Sequence, residues 1–211
     1  MSRVGILFSG RGSNMGALLK AAAAPGFPGE IVLAISNVPG AGGFDLAAAY
    51  GIPSLCIDHR PFAGDREAHE RAIDAALQEA GIILVCLAGY MRRLTPFLVG
   101  QWAGRMLNVH PSLLPSFPGL HTHRRALDGG VKLHGCTVHI VTDIVDEGPI
   151  LAQAAVPVLP DDDEDSLAAR ILIQEHALYP ATLERFLRDA PGRFDPTAAL
   201  LNPLPILPPA P

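Results

Sequence analysis

Apolar positions along this chain fall into two alternating kinds of run. "RVGILFSG", "EIVLAISN", "PSLCID" and "GIILVCLAGY" are short, nearly continuous and rich in branched residues, and they read as strands. The last is apolar throughout, as a central parallel strand covered on both faces requires. Between them, "MGALLKAAAA" and "FDLAAAYG", the latter closed by Gly51, read as helices. Asp65 is placed to cap a third helix reaching about Ala80, with Ala72, Ile73, Ala76, Leu77 and Ala80 on one apolar stripe. This alternation predicts an α/β fold built on an open, doubly wound, Rossmann-like sheet whose N-terminal half is parallel.

After residue 100 the pattern changes. A strand inside "RMLNVHPSLLPSFPG" runs into a Pro-rich loop, and a short helix follows near "THRRALDGG". The next two strands, "HGCTVHIVT" and "ILAQAAVPV", are too close in sequence for a crossover helix. They are expected to pair antiparallel, giving a mixed C-terminal half. A long helix is expected from near Asp165 or Ser166 to about Leu187, with Pro180 kinking or splitting it. The chain thus divides into one domain, 1–195, and a Pro-rich C-terminal appendage, 196–211; no internal repeat is evident.

Composition narrows the picture. A hydrophobic content of 49% and mean hydropathy of +0.27 suit a well-packed globule. Charges interrupt every apolar stretch well short of the roughly 20 residues that span a bilayer. "RVGILF" after Met1 is too short and too lightly charged for a secretory signal. The net charge of −5 argues against a broad nucleic-acid surface. Cys56, Cys86 and Cys136 are odd in number, form no CxxC pair and lie in apolar runs, so buried free thiols in a reducing cytoplasm are expected. Small-molecule substrates, without nucleic acid or membrane, fit these features; monomer and homodimer are both open.

Candidate chemistry gathers at strand ends. "SGRGSN", Ser9 to Asn14, sits between a strand and a helix, where glycines let backbone N–H groups approach an anion. It begins like a dinucleotide fingerprint, but Met15 stands where the third glycine would be, and "SNVPG" replaces the acidic residue after the second strand. Phosphate binding is the reading, against a plain tight turn. Asn108 and His110, two apart on a strand, project from one face at the edge where such sheets bind ligands. A satisfied core pair is the alternative. "VTDIVDEGPI" ends a strand in two acids, Asp143 and Asp146; the alternatives are a solvated turn and one carboxylate brought to the imidazole. Glu175 has Ile171, Leu172, Leu178 and Tyr179 as helical neighbours, so its carboxylate needs a partner, either a ligand hydroxyl or a structural hydrogen bond. His121 and His123 lack a third ligand at matching spacing, so no metal site is expected. His59, His69, His134 and His139 are assigned no role.

Taken together, "SGRGSN", "LAGYMRRL", "NVHPSLLPSFPGLHTH", "HGCTVHIVTDIVDEGPI" and "QEHALYP" resemble the phosphoribosylglycinamide formyltransferases, a folate-dependent family. The segments run in family order across residues 3 to about 190. The Asn-x-His with a downstream Asp belongs to formyl-transfer enzymes more widely, whereas the Gly-Ser-Asn loop and "QEHALYP" point to the glycinamide ribonucleotide branch. The resemblance implies formyl transfer from 10-formyltetrahydrofolate, as co-substrate and without a metal, to the amine of 5′-phosphoribosylglycinamide. It implies that Asn108, His110 and Asp146 are catalytic. It assigns Gly12, Ser13 and Asn14 to the substrate phosphate and Glu175 to the ribose hydroxyls. It places Arg66, Met91, Arg92, Arg93, Leu94, Asn108, Val141 and Asp146 at the folate. Two features depart from the family pattern: Arg93 stands where a hydrophobic residue is common, and the tail after Asp195 is Pro-rich.

Overall fold

The computed structural model describes residues 1–189 and 200–201. Each of the four N-terminal apolar runs contains a strand: β1 (Ser2–Phe8), β2 (Gly29–Ser36), β3 (Ser54–Cys56) and β4 (Leu84–Leu87). β5 (Met106–His110), β6 (Leu133–Ile140), β7 (Ile150–Pro157) and β8 (Leu200–Leu201) follow. They form one sheet in the order β3-β2-β1-β4-β5-β6-β7-β8. The first five run parallel, and β6 pairs antiparallel with both β5 and β7. The Pro-rich stretch expected as an appendage lies outside the described residues except for β8, which pairs parallel with β7.

Helices cover both faces. On one side lie α1 (Ser13–Ala22), α2 (Gly43–Ala49), α5 (Thr122–Asp128) and α6 (Glu164–Arg188). On the other lie α3 (Arg66–Glu79) and α4 (Pro96–Gln101). The alternation along β1 decides which residue meets which layer: Val4, Ile6 and Phe8 join the first cluster, and Leu7 joins the second. Ile73 and Leu77 of the predicted stripe are fully buried against Leu7 and Trp102, each such side chain contributing roughly 1.5–3 kcal/mol. Asp65 caps α3 by accepting from the Ala68 N–H at 2.9 Å.

α4 was not expected from the pattern. Six residues cannot show a helical period, although Thr95-Pro96 marks its start. It is held to α3 by buried polar groups: the Thr95 N–H donates to Glu70 Oε1 at 2.9 Å, and the Trp102 indole donates to Asp74 Oδ1 at 2.9 Å. This tie also fixes the segment that leads out of β4.

One expectation needs correction and another is narrowed. Cys56 is exposed, because β3 is a three-residue edge strand left uncovered on that side by the described residues; Cys86 and Cys136 are buried as expected. Burial pushes the Cys86 thiol up to about 12. Of the two alternatives at Pro180, a kink or a split, the split does not occur: α6 is one helix through that residue. Pro180 removes one backbone donor, but the helix is held by its buried face, including Ile171, Leu178, Tyr179 and Leu183. It begins at Glu164 because Asp163 and Ser166 form a reciprocal capping box, with bonds of 2.8 and 3.0 Å. The Tyr179 hydroxyl, wholly buried, is shared between the carbonyls of Leu107 at 3.0 Å and Leu87 at 3.2 Å. α6 is thereby fastened to the last residue of β4 and to the first half of β5, the two strands that lead into the site.

Candidate active site

The crossovers reverse direction at β1, which lies between β2 and β4. Ligands of such sheets bind outside the strand ends at this point. The loop after β1 turns through Gly12, whose φ of 78° is left-handed and which caps α1. A Cβ there would lie 2.9 Å from Met15 Cε and 3.1 Å from the Cα of Gly43, so the position requires glycine for space as well as for its dihedral. The Gly43 N–H donates to Gly10 O at 3.1 Å, bracing the loop from the start of α2. Ser13 is exposed at the helix N-terminus.

The Asn14 amide donates to Glu175 Oε2 at 2.7 Å. This bond joins two of the predicted substrate residues and supplies the partner that Glu175 needed. Glu175 is only 5% exposed; burial pushes its carboxyl up, and the Asn14 bond pulls the other way. Asn14 Oδ1 is buried with no partner among the described residues.

A second feature lies beside β4 and β5. A cavity of about 130 Å³ is lined by Leu87, Tyr90, Arg92, Arg93, Leu94, Asn108, His139, Val141 and the loop 142–146. Six of the expected folate residues therefore meet: Arg92, Arg93, Leu94, Asn108, Val141 and Asp146. Arg66 and Met91 do not line it. Arg66 is exposed on the first turn of α3, and Met91, 75% exposed, points its side chain outward while its backbone N–H is held by Ser9.

The polar centre of this cavity can be read donor by donor. His139 Nδ1 lies 3.1 Å from Ile140 O, and its Nε2 lies 3.2 Å from Asn108 Nδ2. A carbonyl at one nitrogen and an amide donor at the other select the neutral ring protonated on Nδ1. Burial, the largest effect, pulls the His139 pKa down, although Ile140 O and the Asp146 charge oppose it. His110 meets acceptors on both sides: Asp146 Oδ2 is 3.4 Å from Nδ1, and Phe117 O is 3.1 Å from Nε2. Asp146 Oδ2 also accepts the Gly119 N–H at 2.8 Å, so one carboxylate ties the loop after β6 to the loop after β5.

The three expected catalytic residues are thus brought together, but His110 does not line the cavity. It is 6% exposed beneath the loop 111–121. That loop is held by Leu114 N donating to Thr137 Oγ1 at 3.0 Å and Ser112 Oγ donating to Ser116 O at 2.7 Å. Phe117, His121 and Asp146 have φ of 54°, 56° and 59°, so left-handed backbone recurs around the imidazole. Behind the loop, His134 is buried edge-on to Phe117 and His123, each at 5.6 Å, and burial holds its pKa at about 4. Among the described residues no group of three or more His, Cys, Asp or Glu side chains is placed to hold a metal ion.

His139 is the residue that sequence reasoning missed. The antiparallel pairing of its strand with β5 was expected, but the register that sets His139 opposite Asn108 was not readable. The one available signal was the repeated "VH" in the two segments.

Comparison with known proteins bears on this geometry. Residues 2–183 match the formyl transferase family. The trifunctional purine biosynthetic protein adenosine-3 of Drosophila melanogaster is 50% identical over 183 residues, covering 86% of this chain and 14% of that protein. The chain spans less than a fifth of the length of the trifunctional relatives it matches. The phosphoribosylglycinamide formyltransferase of Escherichia coli strain K12 is 43% identical over 189 residues, covering 90% of this chain and 87% of that one. The crystal structure of phosphoribosylglycinamide formyltransferase from Brucella melitensis superposes with a TM-score of 0.84 at 56% identity, covering 88% and 95% of the two chains.

Proposed function

Because the chain belongs to the formyl transferase family, we propose that it transfers the formyl group of 10-formyltetrahydrofolate to the amine of 5′-phosphoribosylglycinamide, a step of de novo purine biosynthesis. The observation that carries this reading is the clustering of Asn108, His139, Asp146 and His110 at the strand ends, with His139 Nε2 3.2 Å from Asn108 Nδ2 and 3.8 Å from Asp146 Oδ1, and His110 Nδ1 3.4 Å from Asp146 Oδ2, beside the Gly12 loop and the lined cavity.

In this reading the loop at Gly12, Ser13 and Asn14 takes the acceptor's phosphate through backbone N–H groups and the α1 N-terminus. Glu175, oriented by Asn14, accepts hydrogen bonds from the ribose hydroxyls. Leu94 and Val141 give the cavity an apolar wall, and the backbone of 141–146 offers polar groups to a flat heterocycle such as the pteridine. Arg92 and Arg93 set positive charge at its rim, suited to the carboxylates of the folate tail, with Arg66 and Met91 outside the cavity.

Attack of the amine on the formyl carbon places negative charge on the formyl oxygen. The Asn108 amide has one N–H on His139 and one left to donate to that oxygen. His110 joins it when Phe117 O leaves Nε2, with Asp146, 3.4 Å from Nδ1, orienting the ring. As the tetrahedral intermediate collapses, the bond from the formyl carbon to folate N10 breaks; N10 gains a proton and the attacking nitrogen loses one, and we assign the relay to His110, which gives its Nε2 proton to N10 and takes one back from the amine.

The test is tetrahydrofolate release by the purified chain, measured with and without 5′-phosphoribosylglycinamide. Release that depends on the acceptor, with one formylated product per tetrahydrofolate, is expected. Turnover of the donor alone at the same rate would make the chain a hydrolase and overturn the assignment.

A further inference from the structure

Between the two halves of the site lies a side-chain network that the chemistry above does not use. The Ser9 hydroxyl, half-buried at the end of β1, donates to Asn37 Oδ1 at 2.6 Å and accepts the Met91 N–H at 2.8 Å. The Ser9 backbone N–H donates to Gly89 O at 3.1 Å, so both its backbone and its side chain grip residues 89–91. Asn37 is 3% exposed and is held in turn by His59, whose Nδ1 lies 2.9 Å from Asn37 O and 3.3 Å from its Nδ2. The network therefore runs from β3 across the ends of β2 and β1 to the segment leaving β4.

The two neighbours of Ser9 matter most. Gly10 to Asn14 form the anion loop, and Arg92 to Leu94 line the donor cavity. The loop has a second brace in Gly43, whereas the Met91 N–H is held, among the described residues, by the Ser9 hydroxyl. We propose that Ser9 is a positioning residue that fixes the donor-side segment 89–94 against the acceptor loop, with Asn37 and His59 orienting its hydroxyl. This rests on the reading of the two sites given above. Its consequence is directional. Losing the hydroxyl frees the Met91 backbone and leaves Asn37 Oδ1 unpaired, while the loop keeps its own brace.

The experiment compares Ser9→Ala, Ser9→Thr and His59→Phe with the wild-type chain by initial rates and by amide hydrogen exchange. Ser9→Ala is expected to raise KM for 10-formyltetrahydrofolate roughly three- to tenfold, as loss of a half-buried hydrogen bond does, and to leave KM for 5′-phosphoribosylglycinamide within about twofold. Ser9→Thr retains the oxygen and is expected to restore the donor KM. His59→Phe should shift it in the same direction by a smaller factor. Protection of the Met91 amide should fall in Ser9→Ala and return in Ser9→Thr. A purely structural serine would lower thermal stability and move both KM values together. That outcome, or an undiminished Met91 protection in Ser9→Ala, overturns the proposal. If the wild-type chain transfers no formyl group, the functional reading falls instead, and the exchange measurement, made without ligands, still decides the role of Ser9.

Discussion

Replacing Asp146 by Asn isolates one charge. The φ of 59° at this position suits Asn, which tolerates left-handed backbone, so the variant adds little strain. Its single amide oxygen can still accept the Gly119 N–H, so the tie between the two loops survives. What disappears is the negative charge 3.4 Å from His110 Nδ1, where both side chains are 8% exposed. At an effective dielectric of about 20, the bare attraction at that distance is about 5 kcal/mol. Desolvation consumes much of it, and charge-assisted hydrogen bonds measure about 1.5–3 kcal/mol net. If the charged His110 is needed only in the transition state, kcat for formyl transfer falls about 10- to 150-fold, with acceptor KM little changed. Asp143 lines the same cavity but is exposed, and Asp143→Asn serves as the matched control. The assay is steady-state formyl transfer with thermal unfolding alongside. A kcat for Asp146→Asn within about threefold of wild type, in a protein of unchanged stability, would refute the pairing as a catalytic device.

Two further outcomes follow from the geometry. Gly12→Val sets a side chain against Met15 and Gly43 at a left-handed position, so acceptor affinity should be lost while donor binding, measured by calorimetry, is kept. His134 is buried with its pKa held near 4, so its contribution to stability is complete above the ordinary value of about 6.5 and is lost as pH falls through 4. Denaturant unfolding should therefore show stability declining across that window, by up to about 3 kcal/mol for this residue, and His134→Leu should flatten the decline.

The strands and most helices were legible because continuous apolar runs and a helical stripe are local signals. The elements that escaped were those without a period: six-residue α4, and the exposure of Cys56, which depends on β3 being an edge. The site divided in the same way. Asn108 and His110 could be paired from strand alternation, and the need of Glu175 for a partner followed from its helical neighbours. That the partner is Asn14, that Asp146 rather than Asp143 reaches His110, and that His139 stands opposite Asn108 depend on register and loop path between distant segments. The burial of His110 beneath Phe117 is likewise a tertiary fact that no local pattern carries.

The contact between Gly12 and Gly43 has a consequence for the order of assembly. The anion loop is local in sequence, yet its shape is completed by the first turn of α2, beyond an intervening helix and strand. It cannot take its final form in a chain that has made only β1 and α1; the β2–α2 unit must dock first, and that docking carries the loop-closure cost of a non-local contact. An anion that recognises the finished loop therefore binds the docked arrangement and not its precursors. At a hundredfold excess over its dissociation constant such a ligand stabilises that state by about 2.7 kcal/mol. In the proposed function, the acceptor's phosphate would thus act before any chemistry, as a clamp on the N-terminal half of the sheet.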